Sequence, residues 1–373
     1  MIQRFISSLI SEKINKGKAI IIMGPRQVGK TTLLENLPIN YEDVLWLNGD
    51  ELDVQNIFSE ISATRIQALM GAKKIIILDE AQRIENIGIK LKLITDTLKT
   101  VQLFATGSSS FELANKINEP LTGRKWEYNM FPISFGEMVN HHGLLEEKRM
   151  IPHRLIFGYY PEIVSNLGEE MKRLKLLSES YLYRDILNWE NIQKPDKITK
   201  LLQALAYQVG SHISFNELGQ ICGLDSKTIE KYISLLEKSF IIFRLNSFSR
   251  NLRNELKSSK KIYFYDNGIR NALVTNFNQI ENRDDMGALW ENFLVSERKK
   301  VIEYKEIWNQ TYFWKTKTQQ EIDYIEESNG EIKAYEFKWN SSKKVSSPSL
   351  FSKGYPKAEF TCIHKDNVES FLL

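Results

Sequence analysis

Cysteine is nearly absent. Cys222 and Cys362 lie far apart in the chain, so the sequence contains neither a metal-binding cysteine cluster nor a disulfide framework. That scarcity points to a reducing, cytoplasmic setting. Long apolar runs are missing too: none approaches the ~18 residues needed to cross a bilayer. The stretch Met1 to Lys18 is broken by Arg4, Glu12, Lys13 and Lys16 and has no signal-peptide core, so no membrane partner is expected. Strong charge of one sign is also lacking, with 50 Lys+Arg against 47 Asp+Glu and a net charge of +3. Such a balance neither demands nor excludes nucleic acid, and any basic surface has to be local.

What is present supports real cores. Hydrophobic residues make up 42% and aromatics 11% of 373 residues, which excludes a disordered or collagen-like chain. At roughly 150 residues per domain, two or three domains are expected.

In the first third, Ala19–Met23, Val44–Leu47, Lys74–Leu78 and Val101–Ala105 are short, nearly continuous apolar runs. Strands read this way when a parallel sheet is covered on both faces. Ile84–Leu98 reads as a helix between two of them, and the alternation argues for a doubly wound α/β domain. After Pro132 the pattern turns helical from Phe135 to Asn191, with Gly158 and Pro161 as breakers. Pro195-Asp196 marks a boundary. A helical segment follows over Lys197–Ser239, then a strand over Phe240–Leu245. A basic stretch, Arg250–Lys261, sets five cations against Glu255. From Gly287 to Leu373 one helix precedes several aromatic-rich strands.

Gly24-Pro25-Arg26-Gln27-Val28-Gly29-Lys30-Thr31 fits G-x-x-x-x-G-K-[ST], between an apolar strand and a helix opened by Thr32. Glycines let such a loop curl so that successive N–H groups point inward and cradle phosphates. Lys30 would reach the β- and γ-phosphates of ATP, and the Thr31 hydroxyl would hold Mg²⁺. Ile75–Leu78 ends in Asp79 and Glu80. Asp79 would bind Mg²⁺, directly or through water, and Glu80 would polarise the attacking water. A hydroxyl in Thr106-Gly107-Ser108-Ser109 would help place that water; Ser108 is the first choice and Thr106 the second, with a helix-capping serine as the structural reading. Arg124, after Leu121-Thr122-Gly123, reads either as a finger reaching a neighbouring subunit's site or as a surface ion-pair arginine. The first alternative implies a homo-oligomer.

These motifs resemble the AAA-type ATPases of bacteria and archaea that carry an uncharacterised C-terminal domain. The resemblance rests on Gly-Pro-Arg-Gln-Val-Gly-Lys-Thr-Thr at 24–32, Leu-Asp-Glu-Ala-Gln at 78–82, Thr-Gly-Ser-Ser at 106–109, and Leu-Thr-Gly-Arg at 121–124 before Phe-Pro-Ile-Ser-Phe-Gly-Glu at 131–137. It continues through Tyr183-Arg184-Asp185-Ile186, the run Ile262–Gly268, Gly287–Glu291 and Glu336-Phe337-Lys338. It implies a P-loop ATPase module, then a winged helix, then a restriction-endonuclease-like domain. The fold class expected is therefore α/β: a P-loop NTPase doubly wound parallel sheet over 1–134, a helical lid or linker over 135–195, a winged helix over 196–265, and a small α/β nuclease-like domain over 266–373.

The residues themselves speak to the last two parts. Ser214-Phe-Asn-Glu217 fits a capping box, Gly223 breaks that helix, and Asp225-Ser226 can cap the next, Lys227–Lys238. Two short helices joined by a glycine turn form a helix-turn-helix pattern. Lys227, Lys231 and Tyr232 would face outward, and the Phe240–Leu245 strand with the basic stretch after it would be the wing. The pair is read as contacting DNA, or alternatively as a structural or dimerising module. Further on, Gln320–Ile325 alternates and sets Glu321 and Asp323 on one strand face, and Glu336 and Lys338 share a face thirteen residues on. Asp323 and Glu336 would hold Mg²⁺, Lys338 would orient or activate water, and Glu291 would complete the site. The competing reading is a charged strand face with cross-strand pairs. The function expected is a Mg²⁺-dependent ATPase coupled to DNA binding, the alternatives being an ATP-regulated metal-dependent nuclease or a non-catalytic, ATP-gated scaffold that binds DNA or a partner.

Overall fold

A computed structural model of the chain describes residues 1–108, 121–187, 195–249, 260–341 and 345–373. They fall into two compact units, residues 1–132 with 238–240, and residues 133–237 with 241–373.

The first unit is built on five strands: β1 (Ala19–Met23), β2 (Val44–Asn48), β3 (Ile75–Asp79), β4 (Gln102–Gly107) and β5 (Lys125–Asn129). Their order is β2-β3-β4-β1-β5, and every pair is parallel. The three inner strands are buried at every position, the state their unbroken apolar runs call for. β5 had no such signal: Lys125 and Glu127 lie on an edge strand where only Tyr128 is buried. The helix expected over Ile84–Leu98 runs from Ile87 to Thr97. It starts late because Asn86 takes a left-handed conformation at its N-cap. Because β1 sits between β4 and β5, the chain order reverses beside it. The carboxyl ends of β1, β3 and β4 therefore meet at one edge of the sheet, where ligands bind in open α/β sheets.

The second unit opens with helices Phe135–His142, Leu144–Phe157, Pro161–Val164 and Glu170–Leu187. The first begins with a complete capping box between Ser134 and Glu137. Next come the helix Pro195–Tyr207, the strand β6 (His212–Ile213), the helices Phe215–Cys222 and Ser226–Lys238, and the strands β7 (Ile242–Ser247) and β8 (Lys260–Phe264). Ser214 accepts a hydrogen bond from the Glu217 N–H at 3.4 Å. Gly223 closes that helix with φ 65°. Asp225 accepts from the N–H groups of Lys227 and Thr228, each at 3.0 Å. Leu201, Leu205, Leu218, Ile229, Ile233 and Phe264 pack into one core under these elements. Tyr232, expected to face outward, is partly buried against that core. Its ring is largely apolar, so covering Ile and Leu removes area from water at about 25 cal/mol per Å². Lys227 and Lys231 are exposed. Most of the expected basic wing, from Arg250 to residue 259, lies outside the described residues.

Four more strands follow the helix Met286–Tyr304: β9 (Gln310–Lys315), β10 (Glu321–Ser328), β11 (Glu331–Phe337) and β12 (Glu359–Ile363). The seven strands among the described residues of this unit form one sheet, ordered β12-β11-β10-β9-β7-β8-β6. The parallel pairing of Asn246 with Tyr312 and Ser247 with Phe313 joins the two halves. The boundaries expected at 195/196 and 265/266 both lie within this unit, and the second separates strands of one continuous sheet. β10 and β11 form a hairpin whose turn residues, Asn329 (φ 52°) and Gly330 (φ 82°), have the positive φ values that two-residue hairpin turns require. Among the described residues, no helix is long and apolar enough to cross a membrane.

Candidate functional site

The segment 24–31 leaves the end of β1 and folds back on itself. Gln27 (φ 58°) and Gly29 (φ 93°) both take left-handed conformations. Lys30 is 5% exposed, and its ammonium donates to the carbonyls of Gly24 (3.0 Å) and Pro25 (2.8 Å). The lysine is thus held inside its own loop by neutral acceptors, which phosphate oxygens can outcompete. Val28 is fully buried, so it offers only its backbone to a ligand. Arg26 is half-buried, while Gln27, Thr31 and Thr32 are exposed.

The tip of β3 faces this loop. The Thr31 hydroxyl donates to Asp79 Oδ2 at 2.8 Å. The other carboxylate oxygen of Asp79 accepts from the Thr106 hydroxyl at the end of β4 and, at 3.1 Å, from the Glu80 N–H. The same N–H also reaches Thr106 Oγ1 at 3.0 Å. Thr106 therefore orients the carboxylate, and Ser108 stands elsewhere. Gln82 Nε2 donates to Glu80 Oε2 (2.5 Å) and to Ser108 Oγ (3.0 Å). Glu80 is left-handed, with φ 50°, a conformation that costs a non-glycine residue of order 1–3 kcal/mol and persists where its surroundings impose it. Gln82, only 3% exposed, is a site residue that sequence reasoning missed. It ends the Leu-Asp-Glu-Ala-Gln run, but spacing alone does not reveal its link to Ser108, just past the end of β4. Ser109 lies outside the described residues. Arg124 is on the surface, paired with Asp96 at 2.6 Å, each side chain 44% exposed.

An oxygen donor set of one hydroxyl and one carboxylate suits Mg²⁺, which keeps several waters and takes one or two protein ligands beside phosphates. Among the described residues, no three His, Cys, Asp or Glu side chains gather as a ready-made metal cage. Thr31 and Asp79 would thus share the ion with nucleotide and water.

A second charged cluster lies on the seven-stranded sheet. The pairing that runs from Ser328 opposite Glu331 to Tyr324 opposite Tyr335 brings Asp323 and Glu336 next in line, facing each other. Asp323 Oδ2 accepts from the Phe337 N–H at 2.8 Å, and the Lys338 ammonium donates to Glu336 at 2.7 Å. Burial pushes both carboxyls up in pKa, and Asp323 adds to the rise at Glu336. Glu291 is pushed up to about 7, first by burial and then by Asp323, against the pull of Lys261.

Lys261 was not foreseen as part of this cluster. Its ammonium, from β8, pairs with Glu291 at 3.0 Å and with Glu321 at 2.7 Å. Burial works against its charge, yet Glu291 and Glu321 hold its pKa above the ordinary lysine value. Burial likewise opposes ionisation of Glu321, but His212 at 3.4 Å and Lys261 keep it well below the usual carboxylate range. Tyr263 donates to Glu291 at 2.6 Å. The structure thus brings Glu291, Asp323, Glu336 and Lys338 into one neighbourhood and adds a lysine from a strand more than sixty residues upstream of Asp323. The side chains of Tyr183 to Ile186 lie outside the description.

A curled phosphate loop, an acidic strand tip hydrogen-bonded to it, and a parallel sheet with β1 at its switch point together define the P-loop NTPase fold. Comparison with known proteins agrees. Residues 16–139 match the family described as AAA domain, residues 148–282 match a domain of unknown function (DUF8612), and residues 286–369 match another (DUF4143). Uncharacterized protein Rv2008c of Mycobacterium tuberculosis is 24% identical over 352 residues, covering 92% of this chain and 75% of that one. Uncharacterized protein MJ1544 of Methanocaldococcus jannaschii is 23% identical over 346 residues, covering 86% and 75%. Among solved structures, the Walker-type ATPase PABY2304 of Pyrococcus abyssi covers 74% of this chain and 96% of its own, with a TM-score of 0.52 and 16% identity. At that identity the likeness is one of fold.

Proposed function

We propose that this chain binds ATP with Mg²⁺ and hydrolyses it, and that the cycle is coupled to DNA. The observation that carries the reading is the 2.8 Å bond between Thr31 and Asp79. It joins the phosphate loop to the acidic tip where the cation of a nucleotide complex belongs. Bound there, Mg²⁺ would supply charge neutralisation for the phosphates. The chain's residues do the rest. Lys30 exchanges the Gly24 and Pro25 carbonyls for phosphate oxygens. Thr106 fixes the direction of Asp79. Glu80, held by Gln82, orients the water for in-line attack, and Ser108 steadies Gln82. Positioning and electrostatics account for catalysis of this type. Arg124 would serve a neighbouring subunit by leaving Asp96, an exposed pair that costs little to break; this makes a homo-oligomer the working form.

DNA enters through the second unit. Its order of helix, strand, two helices and two strands is that of a winged helix, and Lys227 and Lys231 stand exposed on the helix after the turn. Such cations contact phosphates and orient the module on the duplex. Purified protein should turn ATP over, faster with DNA. Lys30→Ala should neither bind nor hydrolyse ATP, whereas Glu80→Gln should bind it and stall. Undiminished turnover in both variants would sink the reading. DNA affinity should fall steeply with salt.

A second reading, a metal-dependent nuclease regulated by ATP, is favoured by the facing of Asp323 and Glu336 with Lys338 beside them. Asp323 and Glu336 would hold Mg²⁺, which would supply the Lewis acid and offset their charge. DNA incubated with Mg²⁺ or Mn²⁺ should then be cut by the wild-type chain and spared by Asp323→Ala and Lys338→Ala. Cleavage that persists in both variants would reject the site.

A further inference from the structure

Arg4 lies outside every motif, yet its guanidinium holds the phosphate loop. Nη1 donates to the carbonyl of Val28 at 2.7 Å, and Nη2 to the carbonyl of Phe131 at 2.6 Å. Both are short, charge-assisted bonds from one planar fork. Arg4 is the N-cap residue of the helix Phe5–Ser11, which is anchored by the buried side chains of Ile6 and Ile10. The residue it grips lies between two left-handed residues, Gln27 and Gly29. The segment it ties that residue to also supports the loop's start, since Met130, next to Phe131, presses its carbonyl against Gly24.

The consequence follows from the planarity of the peptide bond. In a trans peptide the C=O and the following N–H point in opposite directions. Fixing the Val28 carbonyl on Arg4 therefore turns the Gly29 N–H away from Arg4. We propose that Arg4 is a positioning residue for nucleotide phosphate: it presets the Val28–Gly29 peptide so that the Gly29 N–H faces the phosphates before nucleotide arrives. The inference rests on the ATP reading above. The ligand is the polyphosphate of a nucleotide, and Arg4 acts on it through the loop without touching it. Lysine cannot replace it fully, because a single ammonium lacks the fork that spans two carbonyls.

The test uses the full chain and a fluorescent ATP analogue with Mg²⁺. Binding is titrated for wild type, Arg4→Met, Arg4→Lys and Lys30→Ala, and thermal midpoints are recorded without and with nucleotide. Arg4→Met should weaken analogue binding by about 10- to 100-fold, the scale for loss of charge-assisted bonds, with a smaller loss for Arg4→Lys. The midpoint without nucleotide should fall only modestly, since both bonds are part-buried, while the nucleotide-induced rise shrinks by more than that fall explains, a pattern that a purely structural role does not produce. Wild-type binding accompanied by equally tight binding in Arg4→Met overturns this inference alone. So does a fall of the ligand-free midpoint large enough to account for the lost binding in both Arg4 variants. Wild-type protein that does not bind the analogue, or Lys30→Ala that binds it as well as wild type, overturns the ATP reading and this inference with it.

Discussion

The two glycines of the phosphate loop are needed for different reasons, and Gly24→Ala separates them. A β-carbon at Gly24 would lie 2.1 Å from the Met130 carbonyl oxygen and 3.0 Å from its carbon. Ordinary contact begins near 3.4 Å, so the end of β1 and the residue after β5 must part by more than an ångström. Two backbone hydrogen bonds sit beside that contact, Met130 N–H to Met23 O at 2.7 Å and Gly24 N–H to Gly107 O at 3.2 Å. Losing one and stretching the other costs about 3 kcal/mol, counting the buried groups left unpaired. In a unit of this size that lowers the melting temperature by roughly 10 °C. Gly29 has room, its nearest neighbour being Met130 Cε at 3.8 Å, and only its φ of +93° resists a side chain. Gly29→Ala should therefore cost about 1–2 kcal/mol, with its larger effect on ATP binding. Scanning calorimetry of the ligand-free variants reads both numbers. If Gly24→Ala melts within about 2 °C of wild type, or below Gly29→Ala by no more than that, the contact with Met130 is not what the glycine is there for.

Other outcomes follow from the same geometry. Gln82→Leu unlinks Glu80 from Ser108, so ATP turnover should fall about 10- to 100-fold, as misplacement of a catalytic group does, while the KM for ATP stays within a factor of about three; a raised KM with normal turnover would refute the link. Glu291 is half-buried and its carboxyl pKa is pushed up to about 7, so the unfolded chain loses this proton first as pH climbs from the ordinary glutamate value, and folded stability should drop across that interval. The loss approaches ~3 kcal/mol, and Glu291→Gln should flatten the urea-midpoint slope between pH 5 and 7 by roughly that amount. Glu321, held low by His212 and Lys261, acts oppositely, its contribution fading only as pH falls beneath the ordinary carboxylate range. Asn292 is fully buried, accepting from the Phe264 N–H at 2.7 Å and donating to the Phe264 carbonyl at 3.1 Å. Asn292→Leu should cost about 3 kcal/mol by leaving both groups unpaired, measured as a drop in the denaturant midpoint; an unchanged midpoint would contradict that account.

Much of the first unit was legible because its signals are local. β1, β3 and β4 are buried on both faces, so their apolar runs appear directly in the chain. The phosphate loop needs its glycines and lysine at fixed spacing, and Asp79 and Glu80 directly follow an apolar run. β5 was hidden because an edge strand can carry Lys125 and Glu127 at no cost to the core. The helix-turn-helix was legible for a similar reason: the caps at Ser214 and Asp225 are satisfied by backbone groups two or three residues away.

The sequence alone determined the curled loop after β1 and the acidic tip of β3, because both depend on neighbours along the chain. Tertiary structure decided the rest. Arg4 reaches Val28 and Phe131, Gln82 bridges to Ser108, and Lys261 enters the cluster of Glu291 and Glu321, each across a chain separation over which sequence pattern says nothing. The joining of β7 to β9 is of the same kind. Strand pairing is set by backbone hydrogen bonds, which carry no side-chain signature, so a division that looks natural between residues 265 and 266 falls within one sheet.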